Sequence, residues 1–196
     1  GMYAEPDELL ELPHGHPVVI LDNTSLVAHE LWDNGQQYGA LFAFEDNIEL
    51  ARALNEGDHL ATALYDVVDT LAETDGFERE VGRYASELAS MTEDSEDASL
   101  YWATAAEAFL AQGKILAAGE AVNRSISTGT VHLAAEIASA RYFEAMGRTD
   151  DAVKVYRKVV ARCESEKGTH YKEIAEETKE IIKRLEAAAR RKGRRL

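Results

Sequence analysis

The sequence predicts an all-α chain in which antiparallel helix pairs stack one upon another. Three observations carry that expectation. All three prolines, Pro6, Pro13 and Pro17, lie before residue 18, so no proline breaks a helix beyond them. Glycine or short polar breaks recur at intervals of one helix length. A stretch in the second half of the chain also repeats itself after 34 residues.

Residues 1–21 hold the prolines and read as an extended N-terminal arm. The arm ends in Val18, Val19, Ile20 and Leu21, whose branched apolar side chains suit a short strand or a segment pressed into a groove. Asp22, Asn23, Thr24 and Ser25 can each accept an orphan amide hydrogen at a helix start. A first helix is therefore placed over 24–33 and closed by the Asp33, Asn34, Gly35 turn. Further helices are expected over 37–56, 58–74, 77–91, 98–112, 114–127, 131–146, 149–165 and 170–192. The breaks between them carry Gly57, Gly76, the acidic stretch 92–97, Gly113, Gly129, Gly147 and Gly168. No long structureless linker intervenes, so residues 22–196 are expected to form a single helical-repeat domain.

The repeat is clearest when 101–127 is laid on 135–161. Gly113 then meets Gly147, Ala105 meets Ser139, Ala106 meets Ala140, Phe109 meets Phe143, Ala118 meets Ala152 and Val122 meets Tyr156. Small residues recur where helices must approach closely, and large ones where a gap must be filled. Thirty-four residues accommodate two helices and two turns.

This pattern resembles the tetratricopeptide repeat family, whose unit is a helical hairpin with a small residue in its first helix, a turn glycine and an early alanine in its second. Residues 98–130 and 131–165 are the clearest copies; 58–91 reads as a degenerate third and 24–56 as a fourth. Trp102 stands where the family often has tryptophan, its counterpart here is Glu136, and the family's closing proline is absent from both copies. Tyr171, Ile174, Ala175, Thr178, Ile181, Ile182, Leu185 and Ala189 share one face of the last helix, as a capping helix requires.

The resemblance implies a right-handed superhelix whose first helices line a concave groove for peptides or extended protein segments. Carried over by position, the groove residues are Leu100, Ala103, Glu107 and Leu110, then Ile137, Arg141, Glu144 and Ala145, with Tyr65 and Asp69 upstream. Relatives that clamp acidic chaperone tails use lysine and asparagine there; Glu107 and Ala103 disfavour that ligand class. The expected role is a non-enzymatic adaptor or scaffold, with a small-molecule pocket inside the superhelix, enzymatic or sensing, as the alternative.

Charge narrows the partners. The net charge is −15, yet from Lys183 onward seven bases face the single acid Glu186, a local +6 that leaves −21 to the rest. Such a body repels nucleic acid and anionic lipid at long range, so basic or neutral protein partners are expected. The basic end is the one place for weak, unspecific nucleic-acid contact, since it lacks interleaved aromatics for base stacking. The Val18–Leu21 run of the arm is short enough to lie in this chain's own groove or in that of a second copy, which would give self-inhibition or a homodimer.

Catalytic signatures are missing from the sequence. There is no phosphate-cradling glycine loop and no nucleophile elbow, and the HELW run from His29 lacks the second histidine of a zinc protease helix. His14 and His16 supply two ligands at most, short of a closed tetrahedral site, so neither metal nor other cofactor is expected. Cys163 is the one cysteine and reads as a small apolar residue, which excludes an intrachain disulfide. No apolar run is long enough to span a bilayer, and the first basic residue is Arg52, so a cytoplasmic location is expected.

Overall fold

The structure, a computed structural model, describes residues 17–54 and 57–193. Among them it contains nine helices and no strand: α1 Pro17–Asp33, α2 Gln37–Leu54, α3 Gly57–Leu71, α4 Glu78–Met91, α5 Ser95–Ala111, α6 Ile115–Ile126, α7 Leu133–Ala145, α8 Thr149–Ser165 and α9 Thr169–Gly193. The chain divides into two compact units, Gly1–Phe77 and Glu78–Leu196. No described helix is long and apolar enough to cross a membrane.

In the second unit, each helix packs on the one that follows it, and α5 also lies directly against α7. The two hairpin turns, α5–α6 and α7–α8, close with the same pair of bonds around a glycine. Gly113 and Gly147 both take φ of 70°, a left-handed conformation that suits glycine. Gly113 N–H donates to Leu110 O and Lys114 N–H to Phe109 O; Gly147 N–H donates to Glu144 O and Arg148 N–H to Phe143 O. Both are Schellman endings, which satisfy carbonyls a helix end leaves unpaired. Five residues past each glycine, Ala118 and Ala152 are fully buried, and seven before it so are Ala106 and Ala140. Small side chains here let neighbouring helices approach closely.

The first unit contains a third copy of the same hairpin. At Gly35, φ is 76°, and Gly35 N–H and Gln36 N–H donate to Trp32 O and Leu31 O in the same pattern. Ala28 and Ala40 stand at the same offsets, both fully buried. Phe44 occupies the gap-filling place held by Val122 and Tyr156 in the other copies, and all three are buried. The connection after α3 does not follow this pattern, and the helices read as one degenerate hairpin fall to different units, α3 to the first and α4 to the second.

Two expectations need correction. Residues 17–21, assigned to the extended arm, are the first turn of α1. Proline at a first helical position has its φ preset and no N–H to leave unpaired, so Pro17 opens the helix rather than blocking it. Leu21 is buried, and Ser25, expected as a cap, sits inside the helix and donates to Asp66 Oδ2 of α3 at 2.7 Å. Likewise α5 begins at Ser95, not 98: Asp94 Oδ1 accepts from Glu96 N at 2.8 Å and Asp97 N at 3.0 Å. The acids read as loop thus lie in a first turn, where the helix dipole favours them. Residues 1–16 of the arm, the His14 and His16 pair, and Arg194 and Arg195 lie outside the described residues.

α9 packs on α8 with the expected face as far as Leu185, whereas Ala189, assigned to the same face, is exposed. Tyr171, Ile174 and Ala175 join a cluster with Leu133, Val159 and Cys163, while Ile181, Ile182 and Leu185 join one around Ala140, Ala152 and Tyr156. The pairs Arg157 with Glu186 (2.7 Å) and Lys179 with Glu164 (2.9 Å) link the edges of the two helices.

Candidate functional site

The direct packing of α5 on α7 sets side by side positions that lie 34 residues apart. Glu107 on α5 and Arg141 on α7 meet there, with Arg141 Nη1 donating to Glu107 Oε2 at 2.9 Å. Burial works against the Arg141 charge, but the neighbouring Glu107 carboxylate and the Tyr156 hydroxyl outweigh it and hold the guanidinium above its ordinary value. Tyr156 of α8 donates to Glu144 Oε1 at 2.5 Å, and Glu144 Oε2 lies 3.9 Å from Arg184 of α9. Burial, then the bond to Glu144, pushes the Tyr156 phenol well above the usual tyrosine range, so it stays a donor.

Acid and base therefore alternate from α5 to α9: Glu107, Arg141, Glu144, Arg184, with the Tyr156 hydroxyl among them. Of the charged residues assigned to the groove in this unit, Glu107 and Arg141 pair with each other, while Glu144 is held by Tyr156 and lies near Arg184.

The apolar residues on this face differ in what they can offer. Leu100 and Leu110 are half-buried and keep part of their surface in water. Ala103 is 1% exposed and has no surface to present; it is a packing residue. Ile137 packs against the Leu133, Val159, Cys163 and Ala175 cluster, so it belongs to the α7–α9 core. Ala145 is exposed at the end of α7. Tyr65, half-buried, and Asp69, exposed, are on α3 in the first unit.

The shared turn pattern identifies positions that the sequence reading missed. Counted back from Gly35 as Glu107 and Leu110 are from Gly113, the equivalents on α1 are His29 and Trp32. His29 stands edge-on to Phe44 at 5.2 Å, and Trp32 is edge-on to Phe77 at 5.9 Å. The signal was Gly35 itself, whose turn is preceded and followed by alanines at the repeat's offsets.

Ser99, fully buried, donates to Ser125 O at 2.8 Å and accepts from His132 N at 2.9 Å, tying α5 to the α6–α7 connection. Burial pushes the Cys163 thiol up, away from nucleophilic use. A cleft between α4, α5 and α6 holds Trp102 and Phe109, with the Arg124 guanidinium 4.7 Å over the Trp102 ring and anchored by Glu120 at 2.8 Å. Among the described residues, no three His, Cys, Asp or Glu side chains stand together as a metal site.

Two solved structures match the chain. One is a Podosopora anserina protein described as a kinesin light chain with nearly identical TPR-like repeats; it is 17% identical, has a TM-score of 0.56, and the match covers 90% of this chain and 99% of that one. The other is a singly substituted form of that protein, also 17% identical, with a TM-score of 0.59 over 92% and 100% of the two chains. No protein-family model and no curated protein matches the sequence. The fold is that of TPR-like repeats, all-helical in the described residues, with helices packed in consecutive order.

Proposed function

We propose that this chain is a non-enzymatic interaction scaffold that binds a peptide or extended protein segment along the exposed face of α5 and α7. The packing of α5 on α7 carries the reading, because it sets equivalent positions of successive hairpins in a row. The Glu107–Arg141 pair neutralises the centre of that row. A ligand would therefore be held mainly by the apolar surface of Leu100 and Leu110 and by its own backbone hydrogen bonds, which favours a neutral or weakly basic segment over an acidic one.

The test is selection from a random peptide display library on the immobilised full chain, repeated with Leu100→Asp/Leu110→Asp. Enriched peptides that bind the parent chain and not this variant, with its helical circular dichroism intact, would support the reading. Failure to enrich any sequence, or equal binding by the variant, would overturn it.

A further inference from the structure

Charge is divided sharply between the two units. Gly1–Phe77 carries sixteen acids against one base, Arg52, whereas Glu78–Leu196 carries twenty of each. The bases of the second unit gather late: from Asp151 onward there are fourteen, against eight acids. Each copy thus has an acidic first unit and a basic end.

That basic end is exposed and runs past the packed clusters of α9. The packed clusters of α9 end at Leu185; past them Ala189 and Arg190 border a cleft with Thr149, Asp150 and Val153 of α8, and the helix runs on to Gly193. From Ala187 through Arg191 every side chain is exposed. The eight residues past Leu185 extend the helix by about 12 Å. Arg190 has one distant acid, Glu186 at 4.0 Å, which Arg157 already holds at 2.7 Å, and Arg191 makes no ion pair among the described residues.

A complementary face lies on α2. Tyr38, Phe42, Asp46 and Glu49 follow at i, i+4, i+8 and i+11, one stripe of the helix. Tyr38 is 72% exposed and Phe42 67%, an unusual display of aromatic surface. Glu49 is held by Arg52 at 2.6 Å, while Asp46 makes no ion pair among the described residues. The Tyr38 ring packs against Phe77 at 5.7 Å on one side, and exposed aromatic surface beside a carboxylate suits a guanidinium, which can stack on a ring while pairing with the acid.

We propose that the exposed basic end of α9, through Arg190 and Arg191, docks on the Tyr38, Phe42 and Asp46 face of α2 in a second copy of this chain. Two first units cannot fill this role for each other, because each carries −15 and they repel. The contact is heterologous, with different surfaces on the two copies, so it leaves one end of each pair open to extend the assembly.

Sedimentation velocity of the full chain is the test. The weight-average mass should rise above 21.6 kDa with concentration at low ionic strength, and return to it in about 0.5 M salt, where screening is strong. Two variants separate the two surfaces: Arg190→Glu/Arg191→Glu keeps the α2 face, and Tyr38→Ala/Phe42→Ala/Asp46→Asn keeps the basic end. Neither set touches a fully buried side chain, so both should fold with an unchanged helical signal. Each alone should remain a single copy, and their equimolar mixture should form a one-to-one pair. A parent chain that stays monomeric at low salt, association that survives in either variant alone, or a mixture that does not pair would each overturn the proposal. Tail-dependent retention on heparin by a monomeric chain would assign the basic end to an outside polyanion, and would also overturn it.

Discussion

Glu107 and Arg141 stand 34 residues apart in sequence and 2.9 Å apart in space, an ion pair that spans one repeat from α5 to α7. Both are partly exposed, at 32% and 52%, so the pair should add little to stability. A double-mutant cycle of Glu107→Gln and Arg141→Gln, followed by urea unfolding, should give a coupling of roughly 0.2–1 kcal/mol that shrinks in high salt. Coupling above about 2 kcal/mol would mean that the pair is far better shielded from water than its exposure indicates.

Two helix glycines are expected to respond differently to alanine. A Cβ on Gly82 of α4 would stand 2.8 Å from Cε1 and 3.1 Å from Cδ1 of Phe109, so the whole ring must shift to make room. On Gly119 of α6, a Cβ would stand 2.7 Å from the hydroxyl, 2.9 Å from Cζ and 3.1 Å from Cε2 of Tyr142, the outer end of a partly exposed ring that can swing aside. Alanine gains up to about 1 kcal/mol of helix propensity at either position. Gly82→Ala should still lower stability by about 1–2 kcal/mol through overpacking, with Gly119→Ala nearer neutral. Chemical denaturation of the two variants side by side checks the order, and equal effects would refute it.

The repeat was legible in the sequence where it recurs at constant spacing, as it does between Gly113 and Gly147. The hairpin at Gly35 shares the turn, the flanking alanines and the filled gap, but stands 78 residues before Gly113, off any multiple of 34, so a search at fixed offset recovers it only weakly. The start of α1 was misread because proline was treated as a breaker, although it is tolerated in a first turn. The candidate site was legible as positions but not as partners. Nothing local in the sequence indicates that Tyr156 reaches Glu144, or that Ile137 turns into the core beneath α9, because both depend on the packing of α8 and α9.

Tyr156 should be a stability residue. Its ring is buried among Ala140, Ala152, Phe143 and Leu185, and its hydroxyl donates to Glu144. Tyr156→Phe keeps the ring and removes one bond to a charged acceptor, a loss of about 1.5–3 kcal/mol. Tyr156→Ala should cost more, about 3–5 kcal/mol, because a cavity is added. Thermal or urea unfolding gives both values, and a phenylalanine variant as stable as the parent would show that the hydroxyl contributes nothing.

In the first unit, Asp22 and Ser25 should respond in opposite directions. Oδ2 of Asp22 is buried without a hydrogen-bond partner among the described residues, and burial raises its carboxyl above the usual aspartate value, with His59 opposing the rise and Asp66 adding to it. A raised folded-state value means that the group favours folding below the unfolded value of 3.8, and that this contribution is lost as pH climbs through the folded one. Asp22→Asn should therefore stabilise the chain at neutral pH, with the gain fading toward acid. Ser25→Ala instead strips a donor from buried Asp66, at a cost of about 1–3 kcal/mol. Unfolding curves across pH test both, and a pH-independent effect of Asp22→Asn would contradict the assignment.

His132 couples pH to the second unit in the reverse sense. It caps α7, with Nδ1 accepting from Ala134 N at 3.1 Å, so the ring must be unprotonated at that nitrogen for the cap to form. Burial lowers its value below the ordinary 6.5, Arg162 adds to the lowering, and Glu96 and Asp97 oppose it. A histidine lowered by folding contributes stability that is fully present above 6.5 and is lost as pH falls through the folded-state value. Acidification over that range should therefore loosen the α6–α7 connection, where the His132 amide also donates to Ser99. Asparagine is a good cap without a titrating ring, so His132→Asn should keep neutral-pH stability and flatten this part of the acid dependence. His132→Ala should lose about 1 kcal/mol at neutral pH and little in acid, where the parent has already lost its cap. Hydrogen exchange at the Ala134 amide, followed from neutral pH into the acid range, reads the cap directly; protection that does not change with pH would rule the mechanism out.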